Sequence, residues 1–126
     1  MTVSDVRRYE VEARSTDTFG RVLVSARDQH FVVDGPVQNG CPGEAVTPAE
    51  IFLAGVAACG VELLAVVARA ENIPLGAVRV SIDGVLDRGH PVRSDATVFN
   101  SVHLSFELGG VDESQAAALV AAFKKR

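Results

Sequence analysis

A thiol and a carboxylate, Cys59 and Glu62, stand three residues apart inside TPAEIFLAGVAACGVELLAVV, residues Thr47 to Val67 and the most apolar stretch of the chain. On a helix that spacing puts them one turn apart on a shared face. A cysteine does nucleophilic or redox chemistry as the thiolate, so a reactive one needs positive charge or a helix N-terminus beside it. The helix start cannot serve, because Cys59 lies 12 residues past Thr47 and the dipole's influence fades after the first turn. An ionised Glu62 would oppose ionisation of a neighbouring thiol. The cation must therefore come from elsewhere, with Arg14, Arg21, Arg27 and Arg69 as candidates. A plainer reading stands beside this one. Free cysteine is a small buried hydrophobe in most folds, and Ala54, Gly55, Ala57, Ala58 and Gly60 let another helix approach closely. Glu62 would then be a side chain reaching solvent or a subunit interface.

Glu50 has a structural use of its own. Thr47 and Glu50 have the spacing of a capping box, with Pro48 at the first helical position. Cys41, the other thiol, sits in GPVQNGCPGEAV, a loop rich in Gly and Pro, and reads as a loop residue without a redox role. His30, His90 and His103 are scattered, each without a visible partner. No C-x-x-C or Cys/His metal-ligand spacing occurs, so neither a metal nor a cofactor is expected.

The positioning elements follow from the pattern of apolar residues. RYEVEARS alternates and predicts a half-buried strand from Arg8 to Ser15. RVLVSA predicts a second strand, with Asp28-Gln29 as a tight turn into HFVVD, so that three strands form an antiparallel meander. The helix opened by Thr47 runs to about Asn72, roughly 36 Å, where NIPLG stops it. Two further strands, AVRVSIDGVLD and VFNSVHLSFEL, flank the polar loop RGHPVRSDAT. Asp112 and Gln115 then cap a last, Ala-rich helix ending in Lys124, Lys125 and Arg126. Its alanines could pack closely on the small residues around Cys59. Strands grouped apart from helices indicate an α+β fold with antiparallel sheets.

The chain has 126 residues, enough for one domain over residues 1–126 with its own core. With 48% apolar and 22% charged residues the composition is globular. A net charge of −4 and the lack of a long basic run argue against nucleic acid. The first residues lack an apolar signal core. The uninterrupted run from Ile51 to Val61 is too short to span a bilayer. A cytoplasmic protein that does not insert in membranes is expected, and its two cysteines are not expected to form a structural disulfide.

TPAEIFLAGVAACG resembles the signature helix of the OsmC/Ohr family, the osmotically inducible and organic-hydroperoxide-resistance proteins. That helix opens with Asn, Ser or Thr, then Pro, and reaches a cysteine about eleven residues after the proline, the spacing of Pro48 and Cys59. HFVVDGPVQNG, IPLGAVRVSIDGVLD and VHLSFELGGVDESQAAALVAAF resemble the segments around it, so the likeness runs from about Phe19 onward. The resemblance implies an OsmC-like fold: antiparallel sheets, a long central helix and a second helix, in an intertwined homodimer. It also implies a thiol-dependent peroxidase in which the Cys59 thiolate attacks an organic hydroperoxide and a dithiol reductant restores the thiol. An arginine, with Arg21 favoured by its place at a strand start, would hold the thiolate and polarise the peroxide, and Glu50 or Glu62 would orient it.

Two features depart from that pattern. The family's second, resolving cysteine falls just beyond the position of Arg126, where this sequence ends. The acid of the hydroperoxide-resistance branch aligns with Ala49, and Glu50 matches the looser branches in which it falls one place later. Impaired peroxidase turnover is one expectation. The rivals are a non-catalytic dimer of the same fold that binds a small hydrophobic ligand, and a plain interaction module.

Overall fold

The computed structural model describes residues 5–125, so the Arg126 of the expected basic helix end lies outside the described residues. Contacts divide the chain into two units, the first running to Ile51 and the second starting at Phe52.

The first unit holds an antiparallel meander of β1 (Glu12–Ser15), β2 (Arg21–Ala26) and β3 (Gln29–Asp34), in the order β1-β2-β3. The β2–β3 connection has two residues, Arg27 and Asp28, and Ala26 pairs with Gln29 across it. The turn thus falls one residue earlier than the expected Asp28-Gln29. Arg27 takes a φ of 53° there, the left-handed backbone that such tight hairpins require. The register then runs back pair by pair to Arg21 opposite Asp34. β1 is shorter than the alternation of RYEVEARS predicts, and its residues are exposed rather than half-buried. Alternation marks two faces of a strand, but only Glu12 to Ser15 pair with β2. A 3₁₀ turn, Val37–Asn39, follows β3.

The helix α1 (Pro48–Ala70) begins in the first unit and continues into the second. The expected capping box is present. The Glu50 carboxylate accepts from the Thr47 amide at 3.0 Å and from its hydroxyl at 2.8 Å, and the Glu50 amide donates to that hydroxyl at 3.4 Å. At the other end Asn72 adopts a φ of 55°. The Ile73 amide donates to the Ala68 carbonyl at 2.8 Å, and the Asn72 amide to Arg69 at 3.4 Å. This pair of bonds is the Schellman ending, in which a left-handed residue turns the chain off the helix.

In the second unit β4 (Val78–Val85) pairs with β5 (Ser101–Leu108), and α2 (Glu113–Lys124) closes the chain. Asp112 and Gln115 form the expected reciprocal cap of α2. β5 starts later than VFNSVHLSFEL suggests, because the Asn100 side chain serves the preceding loop. Its oxygen accepts from the Asp87 amide and its nitrogen donates to the His90 carbonyl, both at 2.7 Å.

The core of this unit is Leu64, Val67, Ala68 and Leu119, with Ile73, Leu75, Val78, Phe106, Leu108, Ala122 and Phe123 packed against it. The rings of Phe106 and Phe123 meet edge to face at 5.6 Å between centroids. The approach through small residues holds in part. Gly60 is buried, with the Phe123 ring of α2 3.7 Å from where its Cβ would lie, and Ala122 packs on the core, whereas Ala54, Gly55 and Ala58 on α1 and Ala117, Ala118 and Ala121 on α2 are exposed. Gly84 is one position where close approach demands glycine, since an added Cβ would lie 2.8 Å from the Phe99 ring.

Candidate functional site

Within the second unit, α1 carries Cys59 and Glu62 on an exposed face, not in the core. Within the single chain Cys59 is thus not the buried hydrophobe of the plainer reading. α1 is apolar almost all round, yet its buried residues are Gly60, Leu64, Val67 and Ala68. Those four form one stripe, and the opposite side, with Phe52, Gly55, Cys59, Glu62 and Val66, is exposed. Phe52 and Val66 remain 58% and 45% exposed within the single chain, so this face is hydrophobic and uncovered. Phe52 stacks on Phe99 at 5.7 Å. Cys59 makes no hydrogen bond among the described residues, and neither it nor Cys41 is in a disulfide. α1 is also long and apolar enough to cross a membrane by length and composition alone, although Glu62 interrupts its apolar run.

The first unit contains a network that the sequence reading only half anticipated. Arg21 opens β2 and Asp34 ends β3 directly across from it, so both side chains lie on one face of the sheet. The guanidinium grips the carboxylate as a fork, Nε to Oδ1 at 2.8 Å and Nη2 to Oδ2 at 2.9 Å. Asp34 is fully buried. Its Oδ2 also accepts from the backbone amides of Glu44 at 3.0 Å and Ala45 at 2.9 Å. Nη2 of Arg21 makes a second ion pair, with Glu44 at 3.2 Å. The hydrogen bonds from Arg21 hold the Asp34 carboxyl well below the usual range against the opposing effect of burial, and the Ala45 and Glu44 amides add to that. The same two carboxylates raise Arg21 above its ordinary value.

Cys41 wedges into this end of the sheet. Its sulfur and Cβ occupy the space that a side chain at Gly20 or Gly35 would need, next to Arg21 and Asp34 respectively. The backbone closes around it, with the Gly35 amide donating to Gly20 at 2.8 Å and the Gly43 amide to Gly35 at 3.2 Å. Cys41 is a half-buried packing residue of an ordered loop.

Of the four residues singled out by sequence, Arg21 and Glu50 therefore lie in the first unit and Cys59 and Glu62 in the second. Glu50 uses its carboxylate on Thr47, whose amide and then hydroxyl lower its pKa. The acids that orient Arg21 are Asp34 and Glu44, and neither was singled out. The sequence held a signal for Asp34: an acid that ends the apolar strand HFVVD, immediately before Gly35-Pro36. The remaining candidate cations have other places: Arg14 on β1, Arg27 in the hairpin turn, Arg69 in the last turn of α1. The histidines stay apart, His30 bonded to Ser25 at 2.7 Å and His90 to Asp87 at 3.1 Å, with His103 opposite Asp83 on β4. A cleft of about 520 Å³ opens in the β4–β5 loop between Leu86 and Val98, and neither Cys59 nor Glu62 lines it.

The family model for OsmC-like protein matches residues 41–126. The chain belongs to the OsmC-like family. Solved structures agree at the level of fold. An OsmC-like protein from Mycoplasma pneumoniae superposes with a TM-score of 0.80 over 95% of this chain and 82% of that one, at 16% identity. An organic hydroperoxide resistance protein OsmC from Legionella pneumophila gives 0.75 over 97% and 85%, at 23% identity. One from Elizabethkingia anophelis gives 0.76 over 98% and 85%, at 18% identity. No curated protein matches the chain. The α+β arrangement of two antiparallel sheets and two helices is thus the OsmC-like fold, as the resemblance implied.

Proposed function

We propose that this OsmC-like protein is a thiol-dependent peroxidase that reduces organic hydroperoxides, with Cys59 as the attacking thiol. The observation that carries the reading is the exposure of Cys59 on an apolar face of α1, eleven residues after Pro48. An alkyl tail favours such a surface, and a solvent-accessible thiol can reach a peroxide.

The step balances without a cofactor. The Cys59 thiolate attacks the distal peroxide oxygen, the S–O bond forms as the O–O bond breaks, and the alkoxide takes a proton to leave as an alcohol. Cys59 is left as a sulfenic acid. One thiol of a dithiol reductant then displaces water from that sulfur. Its second thiol displaces Cys59 and closes the reductant's disulfide. Arg21 is the proposed donor to the reacting peroxide. Glu50 holds the start of the helix that carries the thiol, and Glu62 is the charge one turn from the sulfur.

The same uncovered face supports a homodimer. An apolar helix with only 22% of its most apolar 18-residue stretch buried within the chain needs a cover, and a second copy supplies one. Two free cysteines suit the reducing cytoplasm. The test is consumption of cumene hydroperoxide in the presence of dithiothreitol. The natural protein and C41S should turn over, and C59S should fall to background. Undiminished turnover in C59S would end the reading.

A further inference from the structure

The geometry points to Asp34 as a positioning residue that fixes the Arg21 guanidinium by one edge and leaves Nη1 to donate to a ligand oxygen. This assignment rests on the peroxidase reading for its chemistry, and on the first unit alone for its geometry.

Three observations support it. Asp34 is the one buried charged or polar side chain among the described residues, and every buried side-chain polar atom among them has a partner. A buried carboxylate persists only when its lone pairs are used, and here Arg21, the Glu44 amide and the Ala45 amide use them. Arg21 spends Nε and Nη2 on the two acids, while Nη1 has no hydrogen bond among the described residues. The Arg21 side chain is 30% exposed against 0% for Asp34, so the fork faces inward and the group as a whole still meets solvent.

The chemistry that follows differs from a bare positive charge. Two carboxylates share one guanidinium, so little of its net positive charge is left unbalanced. What survives is direction. A planar fork held at two points aims its remaining N–H bonds, which lysine cannot do. Asp34 also ties that aim to the loop entering α1, because one oxygen serves both Arg21 and the amides of Glu44 and Ala45. Glu44 is the exchangeable member: its side chain is 78% exposed and it makes a single contact at 3.2 Å.

Two measurements decide the matter, on full-length protein with melting followed by circular dichroism. In the hydroperoxide assay, D34N and R21K should each lose about tenfold or more in kcat/KM, with R21K as poor as R21Q. Labelling of Cys59 by iodoacetamide should change less than about threefold in the same variants. A retained rate in R21K would mean that charge alone matters, and would overturn the assignment even where D34N fails to fold. The second measurement needs no activity. In a nitrogen-15 spectrum, the Arg21 Nε–H signal, identified by its loss in R21Q, should exchange slowly, persist in E44Q and collapse in D34N or, should D34N not fold, in D34E. Persistence in a folded Asp34 variant would overturn the assignment. If the natural protein consumes no hydroperoxide, the peroxidase reading falls, and the spectrum alone judges whether Asp34 positions Arg21.

Discussion

Cys59 and Asp34 invert what their residue types suggest. The thiol, a small hydrophobe by habit, is exposed, and the carboxylate, a surface group by habit, is fully buried. The buried acid has a measurable consequence. Its pKa is held down in the folded protein, chiefly by the Arg21 hydrogen bonds. A group with a depressed folded pKa contributes stability above its unfolded value, near 3.9, and loses it as pH falls toward the folded value. Thermal melts should therefore hold steady from neutrality to about pH 4.5 and then decline. D34N should melt lower at pH 7 and show a flatter acid limb. An acid limb unchanged in D34N would mean that other carboxylates control it.

At the scale of elements, the helices and their ends were legible and the strand register was not. Thr47, Glu50, Asp112 and Gln115 reveal their roles because a cap is a contact between residues three apart. T47A should cost about 1 kcal/mol in chemical denaturation, and L64A about 2–5 kcal/mol as a cavity in the core of the second unit. If L64A costs no more than T47A, Leu64 is not the centre of packing. The meander was legible as three strands, but its hairpin turn sits at Arg27-Asp28. A turn placed one residue later would pair Arg21 with Pro36 and leave Asp34 across from Leu23. Moving the turn by one residue moves every partner across the strand pair by two, so the expected turn puts Asp34 out of line with Arg21. The long alternation of RYEVEARS misled for a related reason: a pattern gives the faces of a strand, whereas its length is set by the partner.

At the scale of the whole molecule, α1 was legible as a helix, but its apolarity did not say which face its own chain covers. Residues apolar on every side can be covered by the same chain, a second copy or a ligand, and sequence does not choose among them. The exposed Phe52, Val61 and Val66 lead to a prediction for the dimer. Sedimentation should give twice the 13.3 kDa chain mass, and V66D should shift the population to monomer while leaving its helical signal in place. A natural protein that sediments as a monomer would contradict the proposed cover. The family itself was legible from the Pro48-to-Cys59 helix and its flanking segments, because such motifs are local in the chain.

The central claim is that Cys59 is the sulfur that meets the peroxide. Treating reduced protein with one equivalent of cumene hydroperoxide in the presence of dimedone, then mapping the adduct by peptide mass spectrometry, tests it most directly. The account predicts a dimedone-trapped sulfenic acid on the peptide containing Cys59 and none on that containing Cys41. An unmodified Cys59, or an adduct confined to Cys41, would contradict it.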